Sequence, residues 1–375
     1  MQFVLTRYLA DKEYSKQKEK MVPALTSALI VSLLISLAAS VPWYLLNQGT
    51  LLYKGISIAL FVIIGSIWTM MDFLSCLKQY MSIVVSFFLG SFLSVVLLLI
   101  LGNFTGLEGA LAGYTAGQLG ILIMLLSAIL REYKFSGFYN AEFLKYFKKF
   151  PYLFLTGLFY NLGLWIDKLI GWVFLGEKVY GSFKSFSLYD TPTFIAYLSI
   201  IPSLAYFIIQ SETRFYLAHR KFFDSISKEP LDNILQYKEQ LGVLLKRTLS
   251  KLFLVQFVTS LTGALSAQFI IAWFGLPPGS IPILRTLFFA AGGQVLFLYT
   301  IIFLMYFDLA HISFLMVSVF FTFNLSLNIL SLYYPIFTLG TAYLFAIIFS
   351  FLLGLGLLLR SVSDIEFQIF LRQEN

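Results

Sequence analysis

The sequence predicts an all-α, polytopic transmembrane helix bundle, and three observations predict it. Of 375 residues, 59% are hydrophobic and only 12% charged, which leaves too little polar surface to cover a single soluble core. Ten apolar runs reach the roughly 20 residues that cross about 30 Å of hydrocarbon as a helix. Lysine and arginine concentrate between alternate runs, as the positive-inside rule requires of a multi-pass membrane protein.

The runs lie near residues 22–46, 51–76, 79–101, 108–130, 151–175, 192–212, 252–275, 282–306, 309–333 and 336–360. They lack two-residue alternation and far exceed the roughly 9–11 residues of a barrel strand, so every span is expected to be helical. With the amino terminus placed in the cytoplasm, the inner side holds the basic residues from Arg7 to Lys20, Lys78, the groups 131–149 and 214–251, and Arg360 and Arg372. The outer side holds only Lys54, Lys178, Lys184 and Arg285, and Lys168 lies within a run. Both termini are therefore expected to be cytoplasmic. The net charge of +7 reflects this asymmetry and attraction to anionic lipid headgroups, with no need of a nucleic-acid partner.

The basic segment 131–150 divides the spans into four and six: an amino-terminal bundle 1–130, a cytoplasmic linker 131–150, and a carboxy-terminal bundle 151–375 with a cytoplasmic insertion 213–251. Transporters are often built from two related bundles, so the uneven count raises the expectation that two further spans precede Met1 in a longer protein. Within the insertion, Leu231, Ile234, Leu235, Leu241, Leu244, Leu245 and Leu249 recur at helical spacing opposite Lys238, Glu239, Lys246 and Arg247. That pattern is an amphipathic helix, which either lies in the inner headgroup layer or docks a cytoplasmic partner.

The fifth run carries the most informative residues. Thr156, Tyr160, Gly163, Asp167 and Gly171 fall on one helical face, small and polar, where the glycines permit close approach and Asp167 supplies charge. An ionisable group at membrane depth is costly and marks a functional site by default, here a water-accessible passage. Lys168 lies about 100° further round, toward Asn161, and neighbouring residues on a helix do not face each other. Asp167 and Lys168 are therefore expected to find partners elsewhere, as a structural ion pair or as a gating or ion-coupling switch. In the sixth run Asp190 or Thr191 is placed to cap a helix that Pro192 begins, Pro202 to kink it, and Glu212 to reach the inner interface.

Gly109, Gly113 and Gly117 form a stripe suited to helix crossing. Gly292, Gly293 and Gln294 are expected to interrupt the eighth span, while Asn324 and Asn328 lie one turn apart in the ninth; with Trp165 these are candidate cavity-lining residues. No GxxxxGK[ST] loop, HExxH helix or triad spacing is present, Cys76 is the only cysteine, and His219 and His311 are isolated. No cofactor or metal, and no enzymatic activity, is expected.

The string from Phe159 to Lys168, FYNLGLWIDK, resembles the signature of the PelG exopolysaccharide exporters. So do Tyr189-Asp190, Ala196 to Pro202, Ala205 to Phe207 and Glu212 to Tyr216, with fainter likeness at Arg7 to Lys12 and Val22 to Leu25. The resemblance implies the multidrug/oligosaccharidyl-lipid/polysaccharide flippase superfamily, whose twelve helices form two bundles of six around a central cavity, here without the first two helices. It further implies a bacterial inner-membrane location. The partners it implies are a PelD-like cyclic di-GMP receptor, a PelE-like membrane protein and a PelF-like cytosolic glycosyltransferase that feeds in the polymer.

The expected function is export of Pel-type polysaccharide during biofilm matrix production. Asp167 would be the charged switch, Lys168 its counter-charge or a sugar donor, and Tyr160 and Asn161 the path lining, with Glu212 at the inner end. The alternatives are a lipid-linked oligosaccharide flippase or multidrug/cation antiporter of the same superfamily, and a non-transporting scaffold for the synthase.

Overall fold

The computed structural model describes residues 2–133, 137–180, 183–226, 229–334 and 338–365. Among them nine helices are long and apolar enough to cross a membrane. The chain divides into two compact units, Met1–Gly157 with Lys178–Phe183, and Leu158–Glu177 with Lys184–Asn375.

The first unit begins with helix α1 (Gln2–Tyr14), which buries Val4, Leu5, Tyr8 and Leu9. α2 (Met21–Leu46), α3 (Leu51–Cys76) and α4 (Tyr80–Glu132) follow, then α5 (Ala141–Lys149) and the first residues of α6 (Pro151–Ile170). At 53 residues α4 is far longer than a bilayer needs, and it contains two of the apolar runs, 79–101 and 108–130. Its backbone leaves helical geometry at Thr105 and Gly106, where Gly106 has φ +67° and ψ −140°, a conformation only glycine adopts without strain. The two arms then pack against each other. A Cβ at Gly113 would lie 2.4 Å from the Leu97 carbonyl, and one at Gly117 2.4 Å from Ser94 Cα. The small-residue stripe is thus the contact line between arms, and Gln118 Nε2 donates to Ser94 Oγ across it at 3.1 Å.

The basic segment 131–150 holds more than a linker. Asn140 caps α5 by accepting from the Glu142 and Phe143 N–H groups, and it donates to the Tyr8 hydroxyl at 2.6 Å. Glu142 accepts from Lys12 (2.5 Å) and Lys20 (3.1 Å), which ties α5 to the amino-terminal helices. The hydrogen bond from Lys12 holds the Glu142 carboxyl below its ordinary range, against the opposing effect of burial.

The second unit contains the rest of α6, a π-helical turn Gly171–Leu175, α7 (Ser187–Leu198), α8 (Ile201–Gln210), a second π-helical turn Ser211–Phe215, α9 (Tyr216–Ile226), α10 (Leu231–Trp273), α11 (Ser280–Tyr306), α12 (Ala310–Tyr333) and α13 (Leu339–Ser363). A short hairpin, β1 (Glu177–Tyr180) and β2 (Phe183–Ser185), lies between α6 and α7. α11 is the centre of this unit, with residues buried all round its circumference.

Two expectations are corrected here. α11 runs unbroken through Gly292 and Gly293, because these glycines serve contact rather than a break: a Cβ at Gly292 would lie 2.7 Å from Ser260 Oγ on α10, and one at Gly293 3.1 Å from Ile347 on α13. α7 starts at Ser187, before Asp190 and Thr191, so Pro192 lies inside it; Asp190 instead reaches back to the Phe186 N–H at 3.1 Å. The amphipathic helix expected within 213–251 is the first half of α10, continuous with the following apolar run, and it buries Ile234, Leu241, Leu245 and Leu249 while Leu231 and Leu235 are exposed. Pro202 stands in the first turn of α8, where its missing N–H costs no hydrogen bond, and the helical path breaks just before it at Ser199 and Ile200.

Candidate functional site: a buried ion pair in the second unit

Pro151 begins α6 at a position where the missing N–H costs nothing. Along the helix, Thr156, Tyr160, Gly163, Asp167 and Gly171 are all buried, so the polar face read from their spacing is the face turned inward. Gly163 lets α12 come close, since a Cβ there would lie 2.5 Å from the Phe320 ring. Its carbonyl accepts from Asn324 Nδ2 at 2.8 Å, and Asn328 Nδ2 in turn donates to Asn324 Oδ1 at 2.6 Å.

Asp167 has no exposed surface. Its carboxylate accepts from Lys168 Nζ at 2.9 Å and 3.1 Å and from the Tyr189 hydroxyl at 2.5 Å. The expectation that adjacent residues must look elsewhere for partners is therefore wrong for this pair. Spacing rules describe where Cβ atoms point, whereas the four-carbon lysine stem is long enough to curl back over its own helix. Lys168 Nζ also donates to the Leu164 carbonyl at 3.0 Å, one turn earlier. It lies 4.9 Å from the ring centre of Tyr343 and 5.5 Å from that of Tyr197, within cation–π range.

From the two rings a chain of hydrogen bonds returns to α6. The hydroxyls of Tyr197 and Tyr343 are 3.3 Å apart, Tyr343 donates to Gln294 Oε1 at 3.3 Å, and Gln294 Nε2 donates to the Tyr160 hydroxyl at 3.3 Å. The circuit thus joins α6, α7, α13 and α11. Buried polar groups cost stability unless paired, and a lone charge costs more, so a closed circuit of partners is what lets a carboxylate and an ammonium persist at this depth. Asp190 supports it from outside: its carboxylate accepts from Trp172 Nε1 at 2.9 Å and from the Phe186 N–H, fixing the start of the helix that carries Tyr189.

Asp167, Lys168, Tyr160 and Gln294, all singled out in the sequence, come together in this circuit. Asn324 and Asn328 form a separate pair on α12. Asn161 and Trp165 lie on the exposed side of α6, with Trp165 about half exposed and 6.1 Å from the ring of Trp172. Glu212 lies in the second π-helical turn, and its side chain is outside the described residues. Cavities of about 420, 380 and 250 Å³ are lined by other residues, between Leu235 and Ser363, Met81 and Arg131, and Phe253 and Leu352. Asp167 is thus enclosed by polar partners in this state rather than open to water.

Sequence reasoning missed Tyr189, Tyr197 and Tyr343 as site residues. Their type reads by default as interfacial belt, and the available signals were the four-residue spacing of Tyr189, Thr193 and Tyr197 along one face of α7 and the place of Tyr189 and Tyr197 in the strings that carry the family resemblance.

The fold is that of a MOP-superfamily membrane transporter. A multidrug-resistance MATE-family transporter of the MOP superfamily in its outward-facing conformation is 15% identical, with 97% of this chain and 83% of that one covered at a TM-score of 0.65. A MOP-superfamily transporter from Pyrococcus furiosus (14% identity, 97% and 84% covered, TM-score 0.64) and the Vibrio cholerae MATE transporter VcmN in its bent form (13%, 97% and 85%, 0.63) are similar to the same extent. No curated protein matches the chain. The model of the PelG exopolysaccharide exporters (EPS-E) matches residues 1–370, and the chain belongs to that family.

Proposed function

We propose that this multi-pass membrane protein exports a Pel-type exopolysaccharide across the bacterial inner membrane, with both termini in the cytoplasm. The observation that carries this reading is the family match from residue 1 to 370 on a chain with the MOP transporter fold. The excess of lysine and arginine on one side supports the orientation. A cytosolic PelF-like glycosyltransferase supplies the polymer, and PelD-like and PelE-like proteins complete the assembly.

In this reading Asp167 and Lys168 are a charge latch. Their bonds tie α6 to α7, while Lys168 also lies against the Tyr343 ring of α13. Opening the latch breaks the Tyr189–Asp167 hydrogen bond and parts Lys168 from the Tyr343 ring, so the closed arrangement is favoured until substrate or partner binding compensates. Such compensation requires different affinity in the two states.

The test is complementation. In a producing strain lacking the gene, the intact chain restores secreted polymer and Asp167→Asn does not, although it reaches the membrane in normal amount. Secretion that persists without the gene overturns the export reading; normal secretion by Asp167→Asn overturns the latch alone.

A further inference from the structure

The surroundings of Lys168 have the composition of an occupied cation site. Around Nζ stand two Asp167 carboxylate oxygens at 2.9 Å and 3.1 Å, the Leu164 carbonyl at 3.0 Å, and the ring faces of Tyr343 and Tyr197 at 4.9 Å and 5.5 Å. Each of these groups offers electron density: anionic oxygens, a carbonyl lone pair and two π faces. That is the donor set that holds a dehydrated monovalent cation. The site is closed, with Asp167 fully buried and Lys168 only 7% exposed. Its occupant cannot leave by diffusion, because it belongs to the residue next to the acid.

We propose that Lys168 is a built-in replacement for a coupling cation. The tethered ammonium fills a monovalent-cation site in this bundle, so the working cycle takes up no sodium or potassium ion at Asp167. An ion that does not bind cannot bias one conformation over another. The drive for export then comes from another source, most directly polymer elongation on the cytoplasmic side. This inference rests on the latch reading above and names what occupies that latch.

The test uses the purified full chain in detergent. Thermal unfolding is followed in sodium, potassium, choline and ethylammonium chloride at constant ionic strength. The wild-type melting temperature is expected to be the same in all four. Lys168→Ala is expected to melt lower in choline and to recover most of that loss, saturably, in sodium or ethylammonium; the Asp167→Asn/Lys168→Ala double variant is expected not to respond.

A saturable sodium or potassium stabilisation of the wild type that Asp167→Asn abolishes overturns the proposal, since the acid then takes an external ion. So does a Lys168→Ala variant indifferent to every cation. Should that variant not fold, Lys168→Met takes its place, and should neither fold, the wild-type titration decides. Cation response and polymer secretion are independent readouts, so this inference and the export reading fail separately.

Discussion

Lys168 closes on the residue that precedes it, with its ammonium 2.9 Å and 3.1 Å from the two carboxylate oxygens of Asp167. The pair therefore forms within one helix, independent of how neighbouring helices pack, while Tyr189, Tyr197 and Tyr343 bring those neighbours to it. Removing one partner leaves a buried charge without its counter-charge, which costs about 3–5 kcal/mol. Asp167→Ala and Lys168→Met are each expected to lower stability by that order, and the double variant by clearly less than their sum. A thermal or denaturant double-mutant cycle in detergent checks this.

Tyr189→Phe deletes only the hydroxyl that donates to Asp167 at 2.5 Å. A hydrogen bond to a charged group contributes about 1.5–3 kcal/mol, so a loss in that range is expected. Tyr343→Phe removes a neutral link to Gln294 but keeps the ring against Lys168. It is expected to cost about 0.5–1.5 kcal/mol, and equal losses in unfolding assays would contradict the assignment of partners.

Gly113→Val should separate the two arms of α4, since a Cβ there meets the Leu97 backbone at 2.4 Å and backbone cannot swing aside. Gly55→Ala in α3 meets nothing within 4 Å and is expected to be neutral or to stabilise by up to about 1 kcal/mol through helix propensity. Melting temperatures of the two variants, read side by side, distinguish a packing glycine from an incidental one.

Glu142 titrates below its ordinary value of 4.5 because Lys12 and Lys20 donate to its charged form. A depressed carboxylate contributes stability that is fully present above the unfolded value and is lost as pH falls through the lowered folded one. The layer of α1 and α5 should therefore loosen at pH below about 4.5, which exposes the α1 amides to hydrogen exchange. In Glu142→Gln that acid-dependent step should be absent and exchange should already be faster at pH 7.

Much of the site was legible in the sequence, and what was not has a physical reason. The inward face of α6 follows from spacing alone, because side chains four and three residues apart must share a face whatever packs against them. The lysine's position defeated the same logic, since its charged tip lies four carbons beyond the atom that the spacing describes. Tyr197 and Tyr343 were hidden because their partners are distant in sequence: the Tyr343 hydroxyl meets Gln294 and Tyr197, pairings that no local pattern encodes. α1 escaped notice for a related reason. Its buried positions Val4, Leu5, Tyr8 and Leu9 are too few to register as a span, and their burial depends on α3 and α5.

α10 runs from Leu231 to Trp273 as one helix of 43 residues, about 64 Å long. Only about 30 Å of that length is needed to cross the hydrocarbon, so roughly half stands clear of it. A stiff rod of this kind behaves as a lever: a tilt of about 10° in the embedded half carries the outer tip some 5–6 Å sideways, given the helical rise per residue. Movement deep in the bilayer is thereby made readable outside it, with no joint in between to absorb it.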